Sequence, residues 1–229
     1  YLGELYLDMG RVGGAEQRLA VLGRICRASC EEYGELKLEI DKYWKANSLT
    51  AIDLVLGESL ALGKARPAVK NKVGLRGGFV VKKGENLAFH LEKVDWAKKL
   101  RKHFDVSTHL YKGRMAIVRY DSGVATYVHA NFTTGSYDRV VDFYKGQLGP
   151  PISTPTREVV RFAQPRLSNP TAVWKSYFAD SDSFATLEIR KYDDARGDFP
   201  DTRTGVVLLY SSNASPVFPE LSSRDLMNL

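Results

Sequence analysis

Met115-Ala-Ile-Val-Arg-Tyr-Asp-Ser-Gly-Val-Ala-Thr-Tyr-Val-His-Ala-Asn-Phe132 is the stretch on which the fold turns. β-Branched and aromatic residues fill Met115 to Tyr120 and Val124 to Phe132, and Asp121-Ser122-Gly123 between them has the residues a tight hairpin requires. Directly afterwards Ser136 can cap a helix reaching about Gln147, with Tyr137, Val140, Val141, Tyr144 and Leu148 on one face; Gly149-Pro150-Pro151 stops it. Two strong strands in a hairpin, followed by one amphipathic helix, predict an α+β domain with an antiparallel sheet and one long helix, not a doubly wound sheet.

Reading outward, Leu75 to Val81 and Leu87 to Leu91 are short strand candidates, joined by a turn at Lys82 to Asn86. Asp95 is placed to cap a helix from Trp96 to Phe104. Downstream, Glu158 to Phe162 and Ala172 to Phe178 read as strands joined by a polar loop containing Pro and Asn. Phe184 to Tyr192 and Val206 to Tyr210 complete the β set, and Ser222 to Met227 could form a last helical turn. Leu49 to Leu62 fits helix or strand. Its apolar run is broken at Gly57 and Glu58, and no stretch reaches the eighteen or so apolar residues that a membrane-spanning helix needs.

The first residues are helical in pattern. Leu2, Tyr6, Leu19 and Leu22 fill a seam between two helices, and the small Gly3 and Ala15 allow close approach. Gly13-Gly14 should fray the start of the second helix by about a kcal/mol each. A third helix, about Cys30 to Lys45, carries Tyr33, Leu36, Ile40, Tyr43 and Trp44 at helical spacing, and Asn47-Ser48 ends it. That junction divides the chain into a helical segment, 1–47, and an α+β domain, 48–229, the latter divisible again into 48–132 and 133–229.

Leu2, Gly3, Tyr6, Gly10, Ala15, Leu19 and Leu22 resemble the last repeat of a tetratricopeptide (TPR) array, and Cys26-Arg-Ala-Ser-Cys30-Glu-Glu-Tyr33-Gly-Glu-Leu36 resembles the closing segment of small bacterial proteins of that family. The resemblance covers Tyr1 to Ala46. It implies protein–protein scaffolding and an exported location. A repeat of about 34 residues cannot bury its apolar face alone, so further repeats are expected before Tyr1.

Cys26 and Cys30 are four apart, too far and poorly aimed for a bridge within one regular helix. Ser29 as an N-cap would put them across a turn between two helices, where a disulfide becomes feasible. Two half-buried free thiols, or a metal or redox role, are the alternatives; no histidine is nearby.

The chain carries 33 Lys and Arg against 27 Asp and Glu, a net charge of +6. Fifteen of the basic residues but only four of the acidic ones fall between Lys64 and Arg119. Lys82, Lys83, Lys98, Lys99, Arg101 and Lys102 are therefore candidates for contact with an acidic protein or an anionic membrane surface. A solvated face is the plainer reading. Nucleic acid is disfavoured, because no helix-turn-helix, zinc-finger or RNA-binding strand motif accompanies the charge.

Chemical constellations are sparse. His103, Asp105 and His109 lie within seven residues, without the spacing of a zinc helix motif, and His129 reads as a solvent-face strand residue. Gly74, Gly77 and Gly78 lead into a strand, so they lack the helix N-terminus of a phosphate loop. Asp180, Asp182, Asp193, Asp194, Asp198 and Asp201 lack the glycine and distal glutamate of a calcium loop. No nucleophile motif and no cofactor or metal signature is present. The sequence therefore predicts a non-enzymatic protein-binding or scaffolding protein of the bacterial cell envelope, periplasmic or otherwise exported, with the cytoplasm as the alternative. Two rivals stand beside it: a hydrolase or other enzyme with a site around His103, Asp105 and His109, drawing in His129, and a binder of an anionic partner through the basic middle.

Overall fold

A computed structural model describes residues 2–26, 30–67, 79–82, 86–107, 113–161, 164–196, 200–218, 220–221 and 225; for 79, 82, 161 and 164 the backbone alone is described. The architecture is mixed α+β. Three helices come first: α1 (Leu2–Asp8), α2 (Val12–Ile25) and α3 (Glu31–Asn47). A short strand β1 (Leu49–Thr50) and a small hairpin β2 (Val55–Leu56) and β3 (Leu60–Ala61) occupy the ambiguous stretch. Then follow β4 (Phe79–Lys82), β5 (Leu87–Lys93), β6 (Met115–Asp121), β7 (Val124–Thr133), the long helix α4 (Tyr137–Leu148), β8 (Thr156–Arg161), β9 (Gln164–Phe178), β10 (Ser183–Arg190) and β11 (Thr204–Ser211).

Nine strands form one sheet in the order β1-β9-β10-β11-β7-β6-β5-β4, with β8 beside β9. Strands of the 48–132 and 133–229 stretches thus share a single sheet, since β11 pairs with both β7 and β10. The sheet is mixed, not antiparallel throughout: β1 runs parallel to β9, Leu49 opposite Ser176. α3 ends at the junction and delivers the chain to the edge of β9 in that direction.

Alternation sorts the strand residues onto two faces. One face carries Val128, Ala130, Phe132, Trp174, Leu187, Ile189, Val207 and Leu209, and buries them beneath Val140, Val141 and Tyr144 of α4. The opposite face is covered at one end by Val217, Phe218 and Leu221, which pack on Phe89, Ile117 and Leu208. The helices lie toward its other end, with Trp44, Ile40, Ile152 and Phe184 in one cluster.

Three expectations are corrected. Residues from Trp96 to Phe104 form successive turns, not a helix: Leu100 N–H bonds Ala97 C=O and His103 N–H bonds Leu100 C=O. The reason is the stacking of Trp96 on Phe104 with ring centroids 3.5 Å apart, since eight residues of helix would separate them by about 12 Å. The expected polar loop before Ala172 is instead the first half of β9, fifteen residues long. Asn169 there is fully buried, donating from Nδ2 to Tyr192 C=O at 3.0 Å and accepting from Tyr192 N–H at 2.8 Å. Gly13 and Gly14 lie inside α2 without fraying it. A side chain at Gly14 would meet the Tyr6 ring at 2.8 Å, so its smallness sets how closely α1 and α2 approach.

Cys26 and Cys30 form a disulfide with their Cα atoms 5.7 Å apart. Cys26 caps the end of α2 and Cys30 itself occupies the N-cap position of α3; Ser29, the expected cap, lies outside the described residues. Lys83, Gly74, Gly77, Gly78, His109, Asp198 and most of the expected last turn also lie outside them.

Candidate functional site

The three helices leave an open groove at the disulfide-bonded end of their bundle. Its floor is apolar, from Leu2 and Gly3 of α1, Val21 and Leu22 of α2 and Leu36 of α3, and its volume is 300 Å³. Three carboxylates, Glu4, Glu32 and Glu35, and one guanidinium, Arg18, line it with them. Gly3 makes the groove's depth possible: a Cβ there would meet the Leu36 side chain at 2.6 Å. Leu2 and Leu5 of α1 and Met9 just after it, three and four residues apart, extend an apolar stripe from it that is about half exposed. Near the bridge, Ile25 stands 75% exposed.

A second recess lies between α2 and the sheet. Lys175 and Val173 of β9, Glu188 and Arg190 of β10 and Tyr210 of β11 form its floor; Glu16, Gln17 and Ala20 of α2, with Trp44 of α3, face them across 340 Å³. Glu188 is buried, accepting from Arg190 Nη2 at 2.8 Å and from the Tyr210 hydroxyl at 3.2 Å. Burial opposes ionisation of Glu188, but Arg190 and Arg157 outweigh it and hold the carboxyl below its ordinary value. Desolvation pushes Tyr210 well above the usual phenol range. Desolvation also lowers Lys175, against the attraction of Glu16 and Glu188.

Further along the same face is a buried polar cluster. His129 is 1% exposed, not on the solvent face as its strand alternation suggested. Its Nε2 lies 3.2 Å from Asp193 Oδ1, and Asp193 also accepts from Asn131 Nδ2 at 2.9 Å and Arg196 Nε at 2.5 Å. Burial would raise the Asp193 carboxyl, yet His129, Arg196 and Asn131 hold it well below its usual range. These bonds tie the loop after β10 to β7 and consume the oxygens that a cation would need. Asp182 likewise is taken up by Lys45 at 2.7 Å and by the Tyr177 hydroxyl at 2.9 Å. Among the described residues no cluster of potential metal ligands is found.

His103 is buried, its Nδ1 2.8 Å from the Ser136 hydroxyl, and its pKa is lowered by desolvation and by Lys102 and Arg139. It therefore anchors the turns after β5 to the start of α4. Asp105 is exposed, and His129 is engaged elsewhere with Asp193. The described members of this expected acid–base set are thus not brought to one cavity.

Lys98, Lys99, Arg101 and Lys102 share the turn segment and are exposed. Arg101 is partly engaged, by Asp95 at 3.1 Å and Trp96 C=O at 2.8 Å, and the Lys99 ammonium lies 4.7 Å from the Phe143 ring centroid. The backbone of Lys82 pairs with Leu87, at the opposite end of β5 from this segment, so about 20 Å of strand separates the two groups. Lys83 lies outside the described residues, and of Lys82 the backbone alone is described.

Leu2 and Leu22 are seam residues in the sequence, Gly3 the small residue that allows close approach and Leu36 a residue at helical spacing on the third helix, but which of them stay open depends on helix lengths that periodicity does not give. Glu188, Arg190 and Lys175 went unnoticed. The alternation of Leu187 and Ile189 with Glu188 and Arg190 is the signal that could have placed both charges on the face opposite the α4 core. No family model, curated protein or solved structure matches the chain.

Proposed function

We propose that this is a non-enzymatic binding protein whose helical segment receives a basic amphipathic helix from a partner protein, in the groove between α1, α2 and α3. The observation that carries this reading is the pairing of an open apolar floor with a rim of three carboxylates and one guanidinium. A helix laid in such a groove would bury apolar residues at one-turn spacing and offer Lys or Arg to Glu32 and Glu35. The TPR resemblance points the same way, since such helix pairs serve as protein-binding scaffolds. The disulfide supports an exported site of action, because such bridges persist in oxidising compartments. No helix among the described residues is long and apolar enough to cross a membrane.

The test is a heteronuclear NMR titration with a helical peptide carrying Leu at i, i+3 and i+7 and Lys on its flanks. Saturable shifts centred on Val21, Leu22 and Leu36 are expected, lost in Leu22→Lys. Shifts scattered over the molecule, or none, would overturn the reading.

A further inference from the structure

The turns from Trp96 to Phe104 sort their side chains inward and outward. Leu100, His103 and Phe104 are buried, which leaves Lys98, Lys99, Arg101 and Lys102 on the outside. This segment runs against α4. His103 Nδ1 lies 2.8 Å from the Ser136 hydroxyl at the start of that helix, and the Lys99 ammonium lies 4.7 Å from the Phe143 ring centroid farther along it. Arg139, one turn after Ser136 and one turn before Phe143, falls on the same side of α4 and is exposed. The imidazole of His103 lies in the field of both Lys102 and Arg139, so these two cations flank one ring.

Lys98, Lys102 and Arg139 have no ion pair among the described residues, and Lys99 has an aromatic ring as its partner. Of the carboxylates on these two elements, Asp95 pairs with Arg101 at 3.1 Å and Asp142 with Lys145 at 3.7 Å; Asp105 and Asp138 are exposed beside them. Protein interfaces anchor on apolar and aromatic side chains that become desolvated. None of the large apolar side chains that stand exposed belongs to this segment or to α4. Phe143 is only partly buried, but Lys99 sits over it, so it offers no open face for the base stacking that single-stranded nucleic acid uses. What remains is attraction of negative charge spread over an area.

We infer that this surface binds the anionic face of a lipid bilayer, with Lys98, Lys99 and Lys102 of the turns and Arg139 of α4 against its negatively charged headgroups. Compact ammonium groups on flexible stems suit a diffuse layer of anions, where no fixed geometry has to be matched. The turns and α4 cover one face of the sheet, and the three N-terminal helices pack on the other. The helix-binding groove therefore stays clear of the bilayer, and neither site depends on the other.

The experiment is cosedimentation of the full chain with vesicles of phosphatidylcholine alone and of phosphatidylcholine containing about a third phosphatidylglycerol, at low and high salt. The anionic vesicles should bind about tenfold or more tighter than the neutral ones, and high salt should abolish the difference. Lys98→Gln/Lys99→Gln/Lys102→Gln/Arg139→Gln, at four exposed positions, should weaken binding to the anionic vesicles about tenfold or more. Arg24→Gln/Lys37→Gln/Lys42→Gln/Arg166→Gln, also at exposed positions, removes the same net charge elsewhere and should bind as the parent does. The inference is overturned if anionic vesicles bind no better than neutral ones, if the two variants behave alike, or if polyglutamate or duplex DNA binds more tightly than the anionic vesicles.

Discussion

The ammonium of Lys175 lies 4.0 Å from the centroid of the Trp44 ring, bringing the middle of the sheet's edge region against the last helix of the N-terminal segment. Glu16 of α2 completes the contact, accepting from the Trp44 indole and facing the same ammonium. Three elements distant in sequence thus meet at one aromatic ring, and Lys45 to Asp182 at 2.7 Å reinforces the junction. The helices are docked on the domain. Trp44→Ala should cost about 3–5 kcal/mol through lost burial and the cavity left behind, and should expose the chain near Asn47-Ser48. Denaturant unfolding gives the first quantity. Limited proteolysis gives the second, with earlier cleavage at that junction than in the parent.

The Cys26–Cys30 bridge closes a short loop, with a sequence separation of four. Its expected contribution is about 2 kcal/mol. Alkylation without reductant followed by intact-mass measurement should add no label. Reduction should lower the unfolding free energy by that amount and first loosen the groove end of α2 and α3, as hydrogen exchange would report.

Acid should weaken the protein through its depressed carboxylates. The pKa of Asp193 is lowered from 3.8 and that of Glu188 from 4.5. In the acid range the unfolded chain therefore binds more protons than the folded one. The stabilisation from these groups is complete above their unfolded values and is lost as pH falls through the folded ones. Urea unfolding as a function of pH should show stability declining from about pH 4.5 downward. Asp193→Asn leaves His129 and Arg196 without their buried carboxylate. It should cost about 3–5 kcal/mol at neutral pH and flatten the acid slope.

Gly205 on β11 pairs with Phe132 on β7, and a Cβ there would meet that ring at 2.3 Å. Gly205→Ala should therefore destabilise by about 1–3 kcal/mol through overpacking. Gly146, which has open space around its Cβ position, is the contrasting site within α4, where Ala should stabilise by about 0.5–1 kcal/mol. Thermal or denaturant unfolding of the two variants should shift in opposite directions.

Much of the fold was legible where local pattern and tertiary packing agree. The hairpin around Asp121-Ser122-Gly123, the helix from Tyr137 and the end of α3 at Asn47 all stand where alternation, helical period and stop signals put them. Legibility failed where a distant partner decides. Thr171 and Asn169 read as loop until Pro155 C=O accepts the Thr171 N–H, β8 pairs with Asn169, and the Tyr192 backbone takes up the Asn169 side chain. Trp96 to Phe104 has helical spacing but stacks its two rings in a way no helix permits. His129 alternates like a surface residue, and only Asp193, sixty-four residues away, explains its burial. The groove was half legible: Leu2, Leu22 and Leu36 were marked by spacing, whereas its acidic rim emerges only when α1 and α3 are side by side.

The most direct test of the account is calorimetric binding of a basic amphipathic helix to the parent protein and to a Glu32→Lys/Glu35→Lys variant, repeated with the peptide's lysines changed to glutamate. The parent should prefer the basic peptide, the variant should prefer the acidic one, and both preferences should shrink at high salt. If neither peptide binds the parent, or if both proteins bind both peptides alike, the groove is not a site for a basic helix and the proposed function is contradicted.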